Sequence, residues 1–585
     1  MANMEEAASD KWFRCSWLRR TVPLNIREEL YHLLRMMGPL LISRILNYLL
    51  PFVNTMFCGR LTNEVMAGYG LASATISVTT AATGLGLGFA CDTLVAQTFG
   101  GKNLLRVGVI LQRGIIILLL FCLPCWGLLL NAQAILLLLG QDPEVTRIAQ
   151  LYITAYFPAI PAMFLHHLQM SYLQNQGIIL PQVYTAAMAN IANVVTNYVF
   201  IHLLNLGVGG SAAANTLSEI YICVFLFAYI WWKKLHKTTW GGWSVDSLQE
   251  WGAFMKLAVP STLMTCFEWW IYEFGEFFAG MMGKDELAAQ HSLASIANLI
   301  YMIPVGIQAA TCARVGNALG AGNTARALLT CKVSLSLTAA FAVVEGVALG
   351  SAKSVIGFIF TSDSKIISRV CDLMNVYCFH LFFDALVGVC LGIFMGTGKQ
   401  KIAAVANLIG FYCIGLTLSV TFMFVAKLNI LGFWLGLLIC VILQSIFYIT
   451  VIFRMNWKKI TEEALKQAQV KANVALVNTV NQSDEEAEHQ GNSVDGYLHV
   501  STECPDGSTK RQYIVKDSAE LLPMTQLIIR RGITMLTAVG LLSVGACVHL
   551  LVPLPESPLL KANFTMELLN TTNSPLQTSV TLLDS

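Results

Sequence analysis

Apolar residues along this chain gather in long stretches that short polar segments separate. Each stretch is near or above the about 20 residues that a helix needs to cross a bilayer. The pattern predicts twelve transmembrane helices and then a thirteenth, at about 37–57, 67–90, 107–131, 149–174, 182–204, 207–232, 253–281, 288–312, 328–350, 368–396, 402–426, 430–453 and 528–553. The predicted fold class is therefore an all-α polytopic membrane protein.

The chain also repeats internally. Four pairs of Pro or Gly residues are separated by 220 to 222 positions: Pro39 and Pro260, Gly100 and Gly320, Gly177 and Gly398, and Gly210 and Gly432. Each repeat holds six predicted spans, and an even number of spans gives both repeats the same orientation. The sequence thus predicts two parallel six-helix bundles (6+6) plus the thirteenth, C-terminal transmembrane helix.

Positive charge sets the expected orientation. Lys and Arg are denser in the loops that follow even-numbered spans, which places the N-terminus in the cytoplasm. The predicted division is a cytoplasmic N-terminal segment at 1–36, a first lobe at 37–232, a cytoplasmic linker at 233–252, a second lobe at 253–453, a mostly disordered cytoplasmic segment at 454–526, the thirteenth helix at 527–553 and an extracellular tail at 554–585. The tail carries glycosylation sequons at Asn563 and Asn570.

Composition supports the membrane class and narrows the function. Charged residues are 12% and hydrophobic residues 55% of the 585 positions, whereas roughly 25% of soluble-protein residues are charged. This excludes a disordered chain or a nucleic-acid-binding protein for the bulk of the sequence. The 16 Cys are scattered through apolar runs, so we expect no disulfide framework, metal or cofactor. No phosphate-binding GxxxxGK[ST] motif, potassium-channel filter or cleaved signal peptide is recognisable.

The strongest candidate chemistry lies in the seventh span. Glu268, Trp269, Tyr272, Glu273 and Glu276 share an arc of about 140° on a helix of 100° per residue. Ionisable groups at bilayer depth are costly and mark functional sites by default. Carboxylates supply charge for a cation, and aromatic faces attract cations. The arc is therefore expected to line a cavity; a polar patch between packed helices is the alternative.

Two other spans carry isolated polar residues. Asp384 lies in the tenth span, with His380 one helical turn before it. We favour a functional role for Asp384, whereas an isolated histidine is more often a packing residue than a proton relay. Arg44 and Asn47 lie three residues apart in the first span. Arg44 either pairs with an acid across the bundle or extends to an interface, and its depth in the span favours pairing.

Several motifs resemble the multidrug and toxin extrusion (MATE) family. They are Glu268-Trp-Trp-x-Tyr-Glu273, Tyr301-Met-x-Pro-x-Gly and Arg314-Val-Gly-Asn-Ala-Leu-Gly-Ala-Gly322. Further motifs, Cys91-Asp-Thr-Leu-x-x-Gln-Thr-x-Gly100 and Trp240-Gly-Gly-Trp243, are similar to those of its animal branch. The resemblance covers about residues 38–460.

The resemblance implies a function and a site. Members of the family export organic cations in exchange for protons or sodium, and animal members exchange protons. The cavity acids of the family correspond to Glu268, Glu273 and Asp384, and its cavity aromatics correspond to Trp269, Tyr272 and Tyr301.

Three positions depart from the family pattern. Ser295 stands where animal members usually have a further Glu, and Arg44 stands where they usually have an uncharged polar residue. Glu276 is an acid that the resemblance does not imply. It could replace the missing Glu, since a carboxylate on the seventh span can reach the same cavity.

The sequence thus predicts a multi-pass plasma-membrane antiporter that is not an enzyme. It would exchange small organic cations for protons, which we favour over sodium, and would act as a monomer in the lipid bilayer without nucleic acid. Two alternatives stay open: a lipid-linked flippase of similar architecture, against which the span-7 acids argue, and a non-transporting membrane receptor or scaffold.

Overall fold

The computed structural model describes residues 23–58, 61, 63–356, 364–469 and 522–554. In these ranges the regular structure is helical throughout. The predicted disordered segment falls mostly at 470–521, and the two sequons lie in the tail beyond residue 554. Both therefore lie outside the described residues and stay predictions.

Six long helices occupy the first half of the chain and correspond to the first six predicted spans. They are α1 (Leu24–Cys58), α2 (Asn63–Ile76 and Ala82–Gly100, joined by a π-helical turn at Ser77–Ala81), α3 (Leu104–Leu129), α4 (Pro143–Tyr156 and Ala159–Asn175), α5 (Leu180–Tyr198 with a π-helical end at Val199–Leu203) and α6 (Gly207–Trp232). We call this group the first lobe, following the sequence repeat.

Six further helices form the second lobe. They are α7 (Trp251–Met282), α8 (Lys284–Gly320), α9 (Thr324–Ile356), α10 (Ser364–Thr397), α11 (Gln400–Val425) and α12 (Ile430–Arg454). A short helix at Trp457–Gln469 follows, at the start of the segment predicted to be mostly disordered, and α13 (Met524–Leu551) is the last described helix.

Eleven of these helices are long and apolar enough to cross a membrane, or twelve if the two halves of α4, bent by 56°, form one span. The described chain is therefore a multi-pass membrane protein. Helix α7 is not among them, because its carboxylates and aromatic rings lower its hydropathy. Helix α13 passes the test, but a total of thirteen spans stays a prediction.

The first helix differs from its predicted extent, since it begins at Leu24, well before residue 37. Leu33 and Leu40 are fully buried in a cluster with Ala310 of α8 and Val333 of α9. Tertiary packing on the second lobe thus extends α1 beyond its apolar run, which hydropathy alone does not predict.

The two lobes meet where α2 packs against α7 and α8, and where α1 packs against α8. At the C-terminal ends of α2 and α8, each helix places a glycine against the backbone of the other. A side chain at Gly100 would collide with the carbonyl oxygen of Asn317, and one at Gly320 would collide with that of Gln97. The repeated glycines therefore allow the backbones of the equivalent helices to touch.

Hydrogen bonds join the lobes at this same end. Thr93 of α2 donates to the Met395 carbonyl at 2.7 Å, and Gln97 donates to the Gly396 carbonyl at 3.0 Å. The helix Trp457–Gln469 also bridges both lobes here, because the Asn103 amide donates to its Ala468 carbonyl at 3.1 Å. The space between the lobes is thus closed at the end that the charge pattern places in the cytoplasm.

Candidate functional site

An inner group of two carboxylates and two tyrosines lies inside the second lobe. The Tyr301 hydroxyl of α8 donates to Glu268 of α7 at 2.9 Å, and the Tyr272 hydroxyl of α7 donates to Asp384 of α10 at 3.4 Å. The charges of Glu268 and Asp384 act on each other, and only 8% of Asp384 is exposed. Three helices therefore bring together four residues that the sequence singled out separately.

The other two acids of α7 form a separate outer group. Glu273 lies within electrostatic reach of Glu276, and Glu276 lies 3.6 Å from His291 of α8. The rise of 1.5 Å per residue puts these acids about 8 to 12 Å along α7 from Glu268. The predicted acidic arc is thus two clusters at different depths.

Ser295 lies beside this outer group. Its hydroxyl donates to the His291 carbonyl at 2.9 Å, one turn back along α8. Glu276 contacts the same histidine from α7. Ser295 therefore lies on the face of α8 that carries His291, the residue that Glu276 contacts from α7.

Two neighbouring tryptophans of α7 behave differently. Trp269 is 38% exposed, so its ring is available to a ligand. The Trp270 indole N–H donates to the Val78 carbonyl at 3.1 Å, across the boundary between the lobes. Val78 lies in the π-helical turn of α2, where the altered hydrogen-bond pattern leaves a carbonyl available. Sequence reasoning missed this contact, because a π-turn has no clear sequence signal.

His380 is enclosed by aromatic rings. Its centroid lies 5.3 Å from that of Trp434, 6.1 Å from that of Tyr377 and 6.4 Å from that of Tyr272. Both of its ring nitrogens are buried without a hydrogen-bond partner. It lies one turn from Asp384, as the spacing predicts, but its contacts are those of a packed residue.

Arg44 forms no ion pair with an acid across the bundle among the described residues, although its depth in the first span favoured one. The charge that acts on Arg44 is that of Asp92 of α2, in the same lobe, and the described partner of Glu276 is His291. Asn47, one turn along α1, donates its amide to the Met170 sulfur at 3.5 Å. Helix packing explains the missing pair, since α1 packs mainly against α5 and α8.

Sequence reasoning overlooked two buried acids. Asp92 is 5% exposed and accepts a hydrogen bond from Asn175 at 2.8 Å. Glu29 is 3% exposed and pairs with Arg314. Asp92 stood in a recognised motif, and Glu29 lay in a segment that the hydropathy pattern left outside the spans. Within the described ranges, no group of three or more His, Cys, Asp or Glu side chains could hold a metal ion.

Two matched six-helix lobes, with buried carboxylates on helices near the boundary between them, are typical of membrane transporters. The MatE family model matches residues 39–199 and 260–421, one range in each lobe. The chain belongs to this family.

The relatives support the same assignment. The chain is 47% identical over 542 residues to multidrug and toxin extrusion protein 1 of Danio rerio, covering 90% of this chain and 91% of that one. It is 43% identical over 545 residues to the protein of the same name in Homo sapiens, covering 89% and 94%.

Solved structures share the fold. The crystal structure of the eukaryotic MATE transporter AtDTX14 matches with a TM-score of 0.73 and 26% identity, covering 76% of this chain and 100% of that one. The Vibrio cholerae MATE transporter VcmN in its bent form matches with a TM-score of 0.64, covering 77% and 99%. At 16% identity, the latter supports the fold alone.

Proposed function

We propose that this protein is a secondary antiporter that exports organic cations and drugs in exchange for protons. The observation that carries the proposal is the inner group, in which the hydroxyls of Tyr301 and Tyr272 hold the carboxylates of Glu268 and Asp384 inside the second lobe. The curated relatives are named as multidrug and toxin extrusion proteins, which supports the same substrate class.

Competition for the carboxylates would couple the two fluxes. A desolvated carboxyl group favours its neutral form unless a cation neutralises it. Protonation of Glu268 or Asp384 would therefore expel a bound organic cation, and release of the proton would restore the site. Each pH unit of gradient supplies about 1.4 kcal/mol per proton, which is roughly a tenfold accumulation.

The two depths of the acids suggest an order of events. Glu273 and Glu276 lie toward the end of the second lobe that is remote from the inter-lobe hydrogen bonds. They would attract a cation entering from that side. Trp269, and then Tyr272 of the inner group itself, would provide aromatic surface for the cation.

Alternating access would require the lobes to separate at their closed end. Met395 and Gly396, which accept the inter-lobe hydrogen bonds, lie about 17 Å beyond Asp384 along α10. The acids would therefore be sealed from that end in this conformation. Rocking of 37–232 against 253–453 would break these hydrogen bonds and expose the acids to the opposite side.

We further propose the topology that the charge pattern indicates. The N-terminus would be cytoplasmic and the tail that holds Asn563 and Asn570 extracellular, in a monomer at the plasma membrane.

The direct test uses the purified full-length protein in lipid vesicles. Export of a fluorescent organic cation is measured under imposed pH and sodium gradients. We expect a pH gradient alone to drive accumulation and Glu268→Gln to abolish it. Glu144→Gln is the matched control, because Glu144 is exposed and pairs only locally with Arg147. Accumulation driven by sodium alone would contradict proton coupling, and no transport under either gradient would favour a receptor or scaffold.

A further inference from the structure

Arg44 is a cation in the interior of the protein without an ion-pair partner. The acid that acts on it is Asp92, but the two do not form a pair within 4.0 Å in the described part of the chain. Asp92 is instead held by Asn175, whose amide donates to it at 2.8 Å. Asp92 therefore balances the charge at a distance and leaves the N–H groups of the guanidinium unused.

The helix geometry shows where Arg44 points. Ile42 is 51% exposed on the outer surface of α1, and Arg44 lies about 200° around the helix from it. Leu41, which approaches Gly306 of α8, lies about 60° to one side of Arg44, and Asn47 lies about 60° to the other. The Arg44 side chain is thus directed away from the lipid and toward the space where the lobes meet.

The guanidinium of Arg44 suits an anion. It offers a planar fork of N–H donors that matches a carboxylate. Among the described residues the fork makes no hydrogen bond. His167 of α4 is not a second donor, because its ring is 5% exposed and packs on Gly88 and Phe89 of α2.

We propose that Arg44 forms a subsite that binds the carboxylate of zwitterionic substrates. This inference rests on the proposed function. The ammonium end of the substrate binds the carboxylates of the second lobe, and its carboxylate binds Arg44 of the first lobe. A fixed positive charge disfavours a purely cationic substrate, so this chain selects molecules that carry both charges.

The test compares two probes that differ by one charge, a rhodamine with a free carboxyl group and the methyl ester of the same dye. Both are offered to purified full-length protein in vesicles under a pH gradient. Arg44→Gln should lower kcat/KM for the carboxylated dye relative to the ester by about tenfold or more. It should also lower KM for the ester, because a repulsive charge is removed, and ester transport shows that the variant folds.

Two more variants separate charge from shape. Arg44→Lys keeps the charge but loses the planar fork of donors. Its selectivity for the carboxylated dye over the ester should therefore fall between that of the unmodified protein and that of Arg44→Gln. Arg147→Gln removes an exposed arginine that pairs with Glu144, and its selectivity should equal that of the unmodified protein.

Each result decides the inference. The subsite does not exist, and the proposed function stands, in either of two cases. In the first, Arg44→Gln transports the ester, and its ratio of kcat/KM for the carboxylated dye to kcat/KM for the ester stays within about twofold of that of the unmodified protein. In the second, the unmodified protein exports the ester but not the carboxylated dye. If neither dye is exported, the proposed function fails. Fluorescence anisotropy of the carboxylated dye on purified protein then decides the subsite: about tenfold weaker binding to Arg44→Gln supports it, and equal binding overturns it.

Discussion

Glu29 of α1 and Arg314 of α8 form a bidentate ion pair that joins the two lobes, with N–O distances of 2.5 and 2.6 Å. Thr330 of α9 donates a third hydrogen bond to Glu29 at 2.7 Å. Only 3% of Glu29 is exposed, so the pair is largely shielded from water. It lies at the end where α2 and α8 cross, and it must break if the lobes separate there.

Glu29→Gln should therefore favour separation of the lobes at this end. Breaking a buried pair leaves an uncompensated charge, which typically costs 3–5 kcal/mol. We expect amide hydrogen exchange in 96–102 and 316–322 to become at least about tenfold faster. Glu144→Gln, which disrupts an exposed pair with Arg147, is the control. Unchanged protection in Glu29→Gln would show that other contacts hold the lobes closed.

Glu273→Gln should abolish exchange while surface expression stays near normal. Glu273 lies beside Glu276 in the outer group, and it matches a cavity acid of the family. Neutralising it removes charge that attracts the cation without removing side-chain volume. Organic-cation uptake into cells, normalised to surface protein, is the measurement, and normal turnover would remove Glu273 from the site.

Asp384→Asn should flatten the pH dependence of uptake. In the unmodified protein, raising the outside pH should increase uptake, because fewer protons compete with the cation for the carboxylates. The asparagine cannot bind a proton, so this dependence should weaken. Uptake is measured against outside pH for both proteins. An unchanged profile would assign Asp384 to packing, alongside His380.

Glu276 and Ser295 should be exchangeable, because Glu276 contacts His291 of α8 and Ser295 lies one turn from His291 on the same face of that helix. Glu276→Ala alone should reduce cation transport strongly, because the attraction between a carboxylate and a cation is stronger in a site of low dielectric constant. Adding Ser295→Glu should restore much of it. The measurement is uptake by the single and double mutants across outside pH. A silent single mutant, or a double mutant no better than the single, would make Glu276 a contact between helices.

Asn563→Gln combined with Asn570→Gln should remove all glycan from the protein. Both sequons follow α13, so they reach the outside only if that helix crosses the membrane. The readout is the shift in gel mobility after glycosidase treatment. Asn481→Gln is the control, because Asn481-Gln-Ser is also a sequon but lies in the predicted cytoplasmic segment. A shift that survives the double mutation, or that depends on Asn481, would contradict thirteen spans.

Hydropathy and spacing were enough to predict most of the fold. Helices occur at all thirteen predicted positions, because long apolar runs have few alternatives in a bilayer. The repeated glycines Gly100 and Gly320 also proved to be informative, since each is required by a backbone contact with the equivalent helix. The early start of α1 at Leu24 was not predictable, because it depends on packing against α8 and α9.

The sequence by itself determined the helical membrane class, the repeat and the set of candidate acids on α7, since these follow from local composition and helical period. Only the tertiary structure decided which groups meet: Glu268 with Tyr301, Glu276 with His291, and Glu29 with Arg314. The physical reason is that helical period gives the face of a single helix but not its neighbour. The neighbour depends on how helices distant in sequence pack, and that packing gave the inner and outer acids of α7 different partners on α8.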